Sequence, residues 1–222
     1  MRKLLVLLLL SCAFFASILN ANMEQERRVL TASKILQEAL FAPKTGITKA
    51  LLHNAKAIAV FPNTVKGAFL IGGRVGDGVM SVKDMDGAWS EPIFVSLKGV
   101  SVGFQIGVQS TDIIMIFKTE RSIDGLSTGK LTLGVDAGVV AAAKGVKAGD
   151  KTDEKLAADI KTFGKSSGLF IGVSLSGSTL TVNDTADFNY YDTIIYVNDI
   201  LTHDKIKNKP ESEEFKRVLR SL

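Results

Sequence analysis

The chain has 222 residues, 46% of them hydrophobic, with a formal net charge of +4 and a single cysteine. That hydrophobic content excludes a disordered chain and supports one large core or two small ones. The lone thiol excludes an internal disulfide framework.

The chain opens "MRKLLVLLLLSCAFFASILNANM". Arg2 and Lys3 precede an aliphatic run from Leu4 to Leu10, and small and polar residues then lead to Ala21. This is the layout of a secretory signal peptide over residues 1–21, cleaved after Ala21, and it predicts an exported chain, periplasmic or peripherally membrane-associated. An uncleaved anchor is the alternative. "LLSC" also looks like a lipoprotein box that would lipidate Cys12, but cleavage there would leave a signal only 11 residues long, so lipidation is the weaker reading.

Glu24 to Phe41 reads as an amphipathic helix, with Val29, Ala32, Ile35, Leu36, Ala39 and Leu40 on its apolar side and Pro43 to end it. Its polar face mixes Glu24, Glu26 and Glu38 with Arg27, Arg28 and Lys34. A membrane-surface helix is usually more uniformly basic, which favours core packing. A second helix is expected from Ile47 to about Lys56. From Ala39 to Gly76 there is no Asp or Glu, while Lys44, Lys49, Lys56, Lys66 and Arg74 are all present. Such a one-sign run predicts an anion-facing patch wherever its side chains share a face, and unrelated solvated lysines where they do not.

Strands dominate the centre. "AIAVFP" is expected to end at Pro62, and "AFLIGGRV" and "VMSVK" to form a hairpin turning at Asp77-Gly78, with a second turn at Asp86-Gly87. Large aliphatics alternate with small or polar residues from Val100 to Gln109, from Leu131 to Val140 and from Leu169 to Ser176. The "DIIMIF" run reads as buried on both sides. Strand glycine costs stability, so its recurrence points to a strongly curved sheet, or to close approach by another element or a ligand. A helix is expected from Thr152 to Gly164, with Leu156, Ile160 and Phe163 as its stripe, and a last one from Pro210. "THDKIKNKPESEE" is the only plausible flexible joint. The predicted fold is one α+β domain over residues 22–222: a strongly curved or barrel-like, mainly antiparallel, glycine-rich sheet with N-terminal, inserted and C-terminal helices.

The chemical motifs fail on inspection. "GAFLIGGRVGDGVM" lacks the dinucleotide spacing, "GLSTGKLT" is one residue short of a P-loop, and "DIKTFGKSS" lacks its first glycine. Nucleotide is therefore not expected. Neither His53 nor His203 has a local partner at metal-ligand spacing, and Asp84-Met85-Asp86-Gly87 lacks the remaining calcium ligands. No G-x-S-x-G elbow is present, and no cofactor, metal or catalytic residue is expected. Asp112 and Asp136 are the carboxylates placed for unusual burial. A single tryptophan, Trp89, and the buried-looking pair Tyr190-Tyr191 argue against nucleic-acid stacking.

"AIAVFPNTVKGAFLIGGRVGDGVMSV", "WSEPIFVSLKGVSVGFQIGVQSTDIIMIF", "LTLGVDAG", "SSGLFIGVSLSGS" and the Tyr190-Tyr191 pair together resemble the SYLF domain family, in order from about Ala32 to Leu201, as in its exported bacterial members. The resemblance implies non-enzymatic phospholipid binding. Eukaryotic members prefer phosphoinositides through an N-terminal amphipathic helix and basic residues, and some fungal members bind actin. For an exported chain the expected partners are anionic membrane lipids, or another envelope protein. The candidate lipid-binding residues are Lys44, Lys49, Lys56, Lys66 and Arg74, with Arg27, Arg28, Lys34 and Lys165. A carrier or sensor enclosing a hydrophobic ligand, and a structural or assembly factor, remain the alternatives.

Overall fold

A computed structural model describes residues 2–42, 47–68, 72–101, 107–133, 139–141, 159–166, 168–175, 177–202, 206 and 208–221. Helix α1, Arg2–Phe41, runs through the expected cleavage site and stops just before Pro43. Helix α2, Lys49–His53, is shorter than expected and starts at Thr48, whose Oγ1 accepts the Leu51 N–H at 3.1 Å.

Among the described residues nine strands follow: β1 Ala57–Ala68, β2 Gly72–Val82, β3 Ile93–Ser101, β4 Gly107–Phe117, β5 Lys130–Leu133, β6 Val139–Ala141, β7 Ile160–Ser166, β8 Leu169–Gly172 and β9 Ser178–Val182. A 3₁₀ helix, Glu120–Thr128, precedes β5 and ends at Gly129, where φ is 76°. The chain closes with α3, Asp184–Tyr191, α4, Val197–Leu201, and α5, Pro210–Arg220. Proline begins α5 as expected, since its missing N–H costs nothing there.

All pairings are antiparallel, in the order β6-β5-β9-β3-β2-β1-β4-β7-β8. The curved sheet is not closed among the described residues, because β6 and β8 stand at opposite ends. The fold is thus the expected α+β arrangement. Ile113 to Phe117, the run read as buried on both sides, is buried throughout and feeds two cores. Ile114 and Ile116 join Ile58, Val60, Val79 and Phe94 beneath α1, α3 and α5. Ile113, Met115 and Phe117 join Phe61, Met80 and Val95 on the other face, under the 3₁₀ helix and α4.

The structure corrects four local readings. First, Asp77-Gly78 is not a turn. β2 continues through it, with Asp77 opposite Ser96 and Gly78 opposite Val95, and β1 and β2 stay paired as far as Ala68 opposite Gly72. The glycines are there for close approach: a Cβ on Gly78 would lie 2.3 Å from the Val60 carbonyl oxygen, and one on Gly76 would lie 2.5 Å from Thr64 Oγ1.

Second, Pro62 does not end β1. It sits in a bulge between Phe61 and Thr64, the place where a strand tolerates a missing N–H. Asn63 there has φ of 50°, and its N–H is held by Asp112 Oδ1 at 2.9 Å, so Asp112 is a structural residue. Third, residues 160–166 are strand. Ile160 and Phe163, expected on one helical stripe, lie on opposite faces of the sheet. Fourth, Leu169 and Ile171 are exposed and Phe170 is buried, because β8 pairs Phe170 with Lys165 on the face toward α1.

The Asp86-Gly87 turn is present, with Gly87 at φ 84° and Asp84 Oδ1 accepting the Ala88 N–H at 2.8 Å. Residues 102–106, 134–138, 152–158 and 203–205, which carry further expected strands, helix and joint, lie outside the described residues.

Gly78→Ala is expected to lower stability by about 2–3 kcal/mol, because a backbone oxygen and the Phe61 ring must both yield. Gly73→Ala, whose Cβ would meet nothing nearer than the Gly99 oxygen at 4.0 Å, is expected to stay within about 0.5 kcal/mol. Urea unfolding followed by the fluorescence of the buried Trp89 measures both.

Candidate functional site

Helix α1 makes two surfaces from one period. Val29, Ala32, Leu36 and Ala39 are buried against the sheet and α5, as the apolar spacing predicts. Opposite them, at 100° per residue, Met23, Arg27, Leu30, Lys34 and Phe41 fall within a sector about 60° wide. All five are exposed, Phe41 to 85%. Large apolar side chains and cations therefore alternate along the outward side of the helix.

The acidic residues of α1 sit outside its exposed stripe, and each of them pairs with a cation. Glu24 accepts from Arg28 at 2.9 Å, Glu26 from Lys209 at 3.3 Å, and Glu38 from Lys165. The hydrogen bond to Glu38 raises the pKa of Lys165 against the opposing effect of burial. The mixed polar face read from the sequence thus separates in three dimensions: Glu26 and Glu38 pair with cations elsewhere in the chain, Glu24 with Arg28 of the same helix, and the outward stripe carries Arg27 and Lys34.

α1 is held in this orientation by α5 and α3. Lys209, just before α5, reaches Asn22 Oδ1 at 3.1 Å and lies 4.6 Å over the Tyr190 ring. Gln37 Nε2 donates to Glu214 Oε1 at 3.2 Å. The hydrogen bond from Arg217 holds the Glu214 carboxyl below its usual range. α5 is anchored in turn by buried Glu91, which accepts from both Ser212 and Lys216. Burial alone would lower the Lys216 pKa, but hydrogen bonds to Glu213 and Glu91 hold it above the usual value.

α3 grips the start of β3. Asp187 Oδ1 accepts the Phe94 N–H at 2.9 Å, the Asn183 N–H donates to the Phe94 oxygen at 2.9 Å, and the Tyr191 hydroxyl donates to the Pro92 oxygen at 2.6 Å. The Tyr190-Tyr191 pair is therefore core architecture. Asp187 is buried and its Oδ2 has no partner. Burial pushes its pKa up to about 8, with Asp184 adding to the rise and the Phe94 N–H opposing it.

The basic residues expected to act together fall into separate places. Arg27 and Lys34 share the outward stripe, and Arg28, half-buried beside them, is occupied by Glu24 and by Gln25 at 2.7 Å. Lys66 and Arg74 are directly opposite one another on β1 and β2, on the sheet face away from α1. Arg74 is half-buried, donates Nη1 to the Ser174 oxygen at 3.2 Å, and has its pKa lowered by burial. It makes no contact with Asp77, which instead accepts from Ser96 at 2.6 Å. Lys56 pairs with Glu120 at 3.1 Å, and Lys49 is exposed in the first turn of α2. Lys44, Asp136 and His203 lie outside the described residues, as does the side chain of Cys12.

Met23, Leu30 and Phe41 are the residues that the sequence reading missed. Their signal was the same 3.6-residue period, read from the other side of the helix. Among the described residues no group of three His, Cys, Asp or Glu side chains is placed to hold a metal ion.

The described residues thus form an antiparallel α+β fold whose first helix bears an outward amphipathic stripe. The chain matches the family model described as "Ysc84: Las17-binding protein actin regulator" over residues 98–222, and it belongs to that family, the one its SYLF resemblance implied. It is 30% identical over 208 residues to SH3 domain-containing YSC84-like protein 1 of Rattus norvegicus and of Homo sapiens, a match covering 91% of this chain and 60% of each relative. It is 29% identical over 206 residues to LAS seventeen-binding protein 3 of Saccharomyces cerevisiae, covering 91% of this chain and 44% of that protein. The chain thus spans about 60% of the length of these animal relatives and less than half of the yeast one.

Folded Asp187 holds its proton up to about 8, whereas the unfolded carboxyl releases it near 3.8. The folded state binds more protons across that window. This contribution to stability is complete at low pH and falls as pH rises from about 4 to about 8, by up to about 1.4 kcal/mol per pH unit. Asp187→Asn keeps the acceptor for Phe94 and removes the charge. Urea midpoints at pH 5, 6, 7 and 8 are therefore expected to fall more steeply in the parent chain than in the variant.

Proposed function

We propose that this chain is a non-enzymatic module of an exported protein that attaches peripherally to anionic phospholipid through the outward stripe of α1. The observation that carries this reading is the stripe itself: Met23, Leu30 and Phe41 exposed in line with Arg27 and Lys34, on a helix whose other side is fixed in the core. Apolar side chains on such a helix enter the boundary between headgroups and acyl chains, and cations at its surface are drawn to anionic lipid. Each contributes on the order of 1 kcal/mol near an anionic membrane, which suits reversible attachment. The proposal assigns the contact to Arg27 and Lys34. A membrane touching this stripe does not reach Lys66 or Arg74 on the far face of the sheet.

The name of the yeast relative, LAS seventeen-binding protein 3, supports a second reading, in which the stripe docks a protein partner. Vesicles of defined composition separate the two.

Sedimentation with vesicles of phosphatidylglycerol in phosphatidylcholine is expected to show binding that rises with the anionic fraction and falls with salt. Arg27→Gln with Lys34→Gln removes two contacts of about 1 kcal/mol each and is expected to weaken binding about 30-fold. Leu30→Ser with Phe41→Ser is expected to remove the part that survives high salt. Equal binding to neutral vesicles in high salt, unchanged in both variants, overturns the proposal.

A further inference from the structure

Beside the stripe, between α1 and the β1–β2 hairpin, lies a cleft of about 360 Å³. Its helix wall is built by Glu24, Arg27 and Arg28, and its sheet side by Val65, Val75 and Asp77. Below the β1 bulge the same sheet face is sealed by α1: Ile58, Val60 and Val79 are fully buried. Above the bulge Val65 and Val75, directly opposite each other, are 44% and 54% exposed. The helix residues alongside are Arg27 and Thr31, too polar to seal them. The result is an apolar floor left open at the flank of the outward stripe, with Arg27 shared between the two.

The charges of the cleft are unequal in availability. Arg28 is bonded to Glu24 at 2.9 Å and stands 4.0 Å from Asp77. Arg27 forms no ion pair among the described residues, so it is the charge left for a ligand. Glu24 and Asp77 flank the same space. One negative group is attracted to Arg27, while additional negative charges on the same ligand meet two carboxylates.

We infer that this cleft selects a monoanionic amphiphile, one negative group held at Arg27 with its apolar body on Val65 and Val75, and that it discriminates against polyanionic headgroups. The inference rests on the membrane reading above and names the headgroup class it favours. A phospholipid with a singly charged headgroup and a free fatty acid anion share this chemistry.

The test uses the full chain and vesicles of matched total surface charge, containing either phosphatidylglycerol or phosphatidylinositol bisphosphate in phosphatidylcholine. The phosphatidylglycerol vesicles are expected to bind about tenfold more tightly. Glu24→Gln with Asp77→Asn is expected to abolish or reverse that preference, with circular dichroism confirming the fold. Val75→Thr, close to isosteric, is expected to weaken phosphatidylglycerol binding while leaving the weaker bisphosphate binding unchanged.

In a second arm, dihexanoyl phosphatidylglycerol and octanoate are titrated below their micelle concentrations and followed calorimetrically. Saturation by the short phospholipid, lost in Val75→Thr, supports the cleft. Saturation by octanoate as well shows that a carboxylate head suffices. Vesicle binding that tracks total charge alone, with no saturation by either soluble probe, overturns the cleft and leaves the stripe intact. Absence of binding to every vesicle overturns the membrane reading, and the soluble arm then decides the cleft by itself.

Discussion

The sheet is apolar on both faces, and most of the architecture follows from covering it twice. Residues Ile113 to Phe117 on β4 and Ala57 to Phe61 on β1 are buried whichever way they point. Each large side chain so buried contributes roughly 1.5–3 kcal/mol, and leaving one face wet would forfeit half of them. A single helical layer cannot satisfy a two-sided sheet. The first face is closed by α1, α3 and α5, and the second by the curl of the sheet itself with the 3₁₀ helix and α4. Covering the first face fixes the rotation of α1 about its own axis, because only its Val29–Ala39 side is apolar enough to serve. The direction of the outward stripe is therefore a consequence of core packing.

That rotation is reinforced by charge. Glu91 is buried under α5, and an unpartnered carboxylate there would be very costly. Ser212 and Lys216 supply its partners and so fix where α5 lies. A buried ion pair adds little net stability compared with an apolar pair, but removing one partner is expensive, so its main effect is to specify one docking geometry. With α5 placed, Lys209 and Glu214 meet Glu26 and Gln37 on the flanks of α1. Glu26 is thereby paired with Lys209, while Glu38 is paired with Lys165 of β7 and Glu24 with Arg28 of α1 itself.

Much of this was legible in the residues. The amphipathic period between Glu24 and Phe41, the helix end before Pro43, the two-sided "DIIMIF" strand, the Asp86-Gly87 turn and the helix at Pro210 follow from local period and punctuation, and they hold, although the helix itself starts further back, at Arg2. Other features depend on contacts distant in sequence. Gly76 and Gly78 resemble turn residues until Thr64 and Phe61 are brought across them by the β1 bulge. Ile160 and Phe163 fit a helical stripe as well as they fit two faces of a strand, and the pairing with β4 decides between them. The division of the candidate basic residues could not be read locally, because Arg27 on α1 and Lys66 in the Ala39–Gly76 run lie on opposite sides of the sheet. Which acids neutralise which bases is likewise a tertiary fact: the partner of Glu26 is Lys209 and that of Glu38 is Lys165.

The β1 bulge connects these levels. Its extra residue lets Pro62 sit in a strand without breaking the ladder, and Asn63 turns with φ of 50° under the hold of Asp112. Past this point Val65 and Val75 are no longer sealed by α1, although they lie on the same face as Val60 and Val79. A hairpin packed uniformly under the helix would have closed that floor and left Arg27 beside solvent only. The bulge shifts β1 by one residue against both β2 and β4, and beyond it one flank of α1 opens beside Val65 and Val75, where Arg27, which forms no ion pair among the described residues, lines the same cleft. A feature that reads locally as a defect in strand pairing thus borders a cleft that shares Arg27 with the exposed stripe.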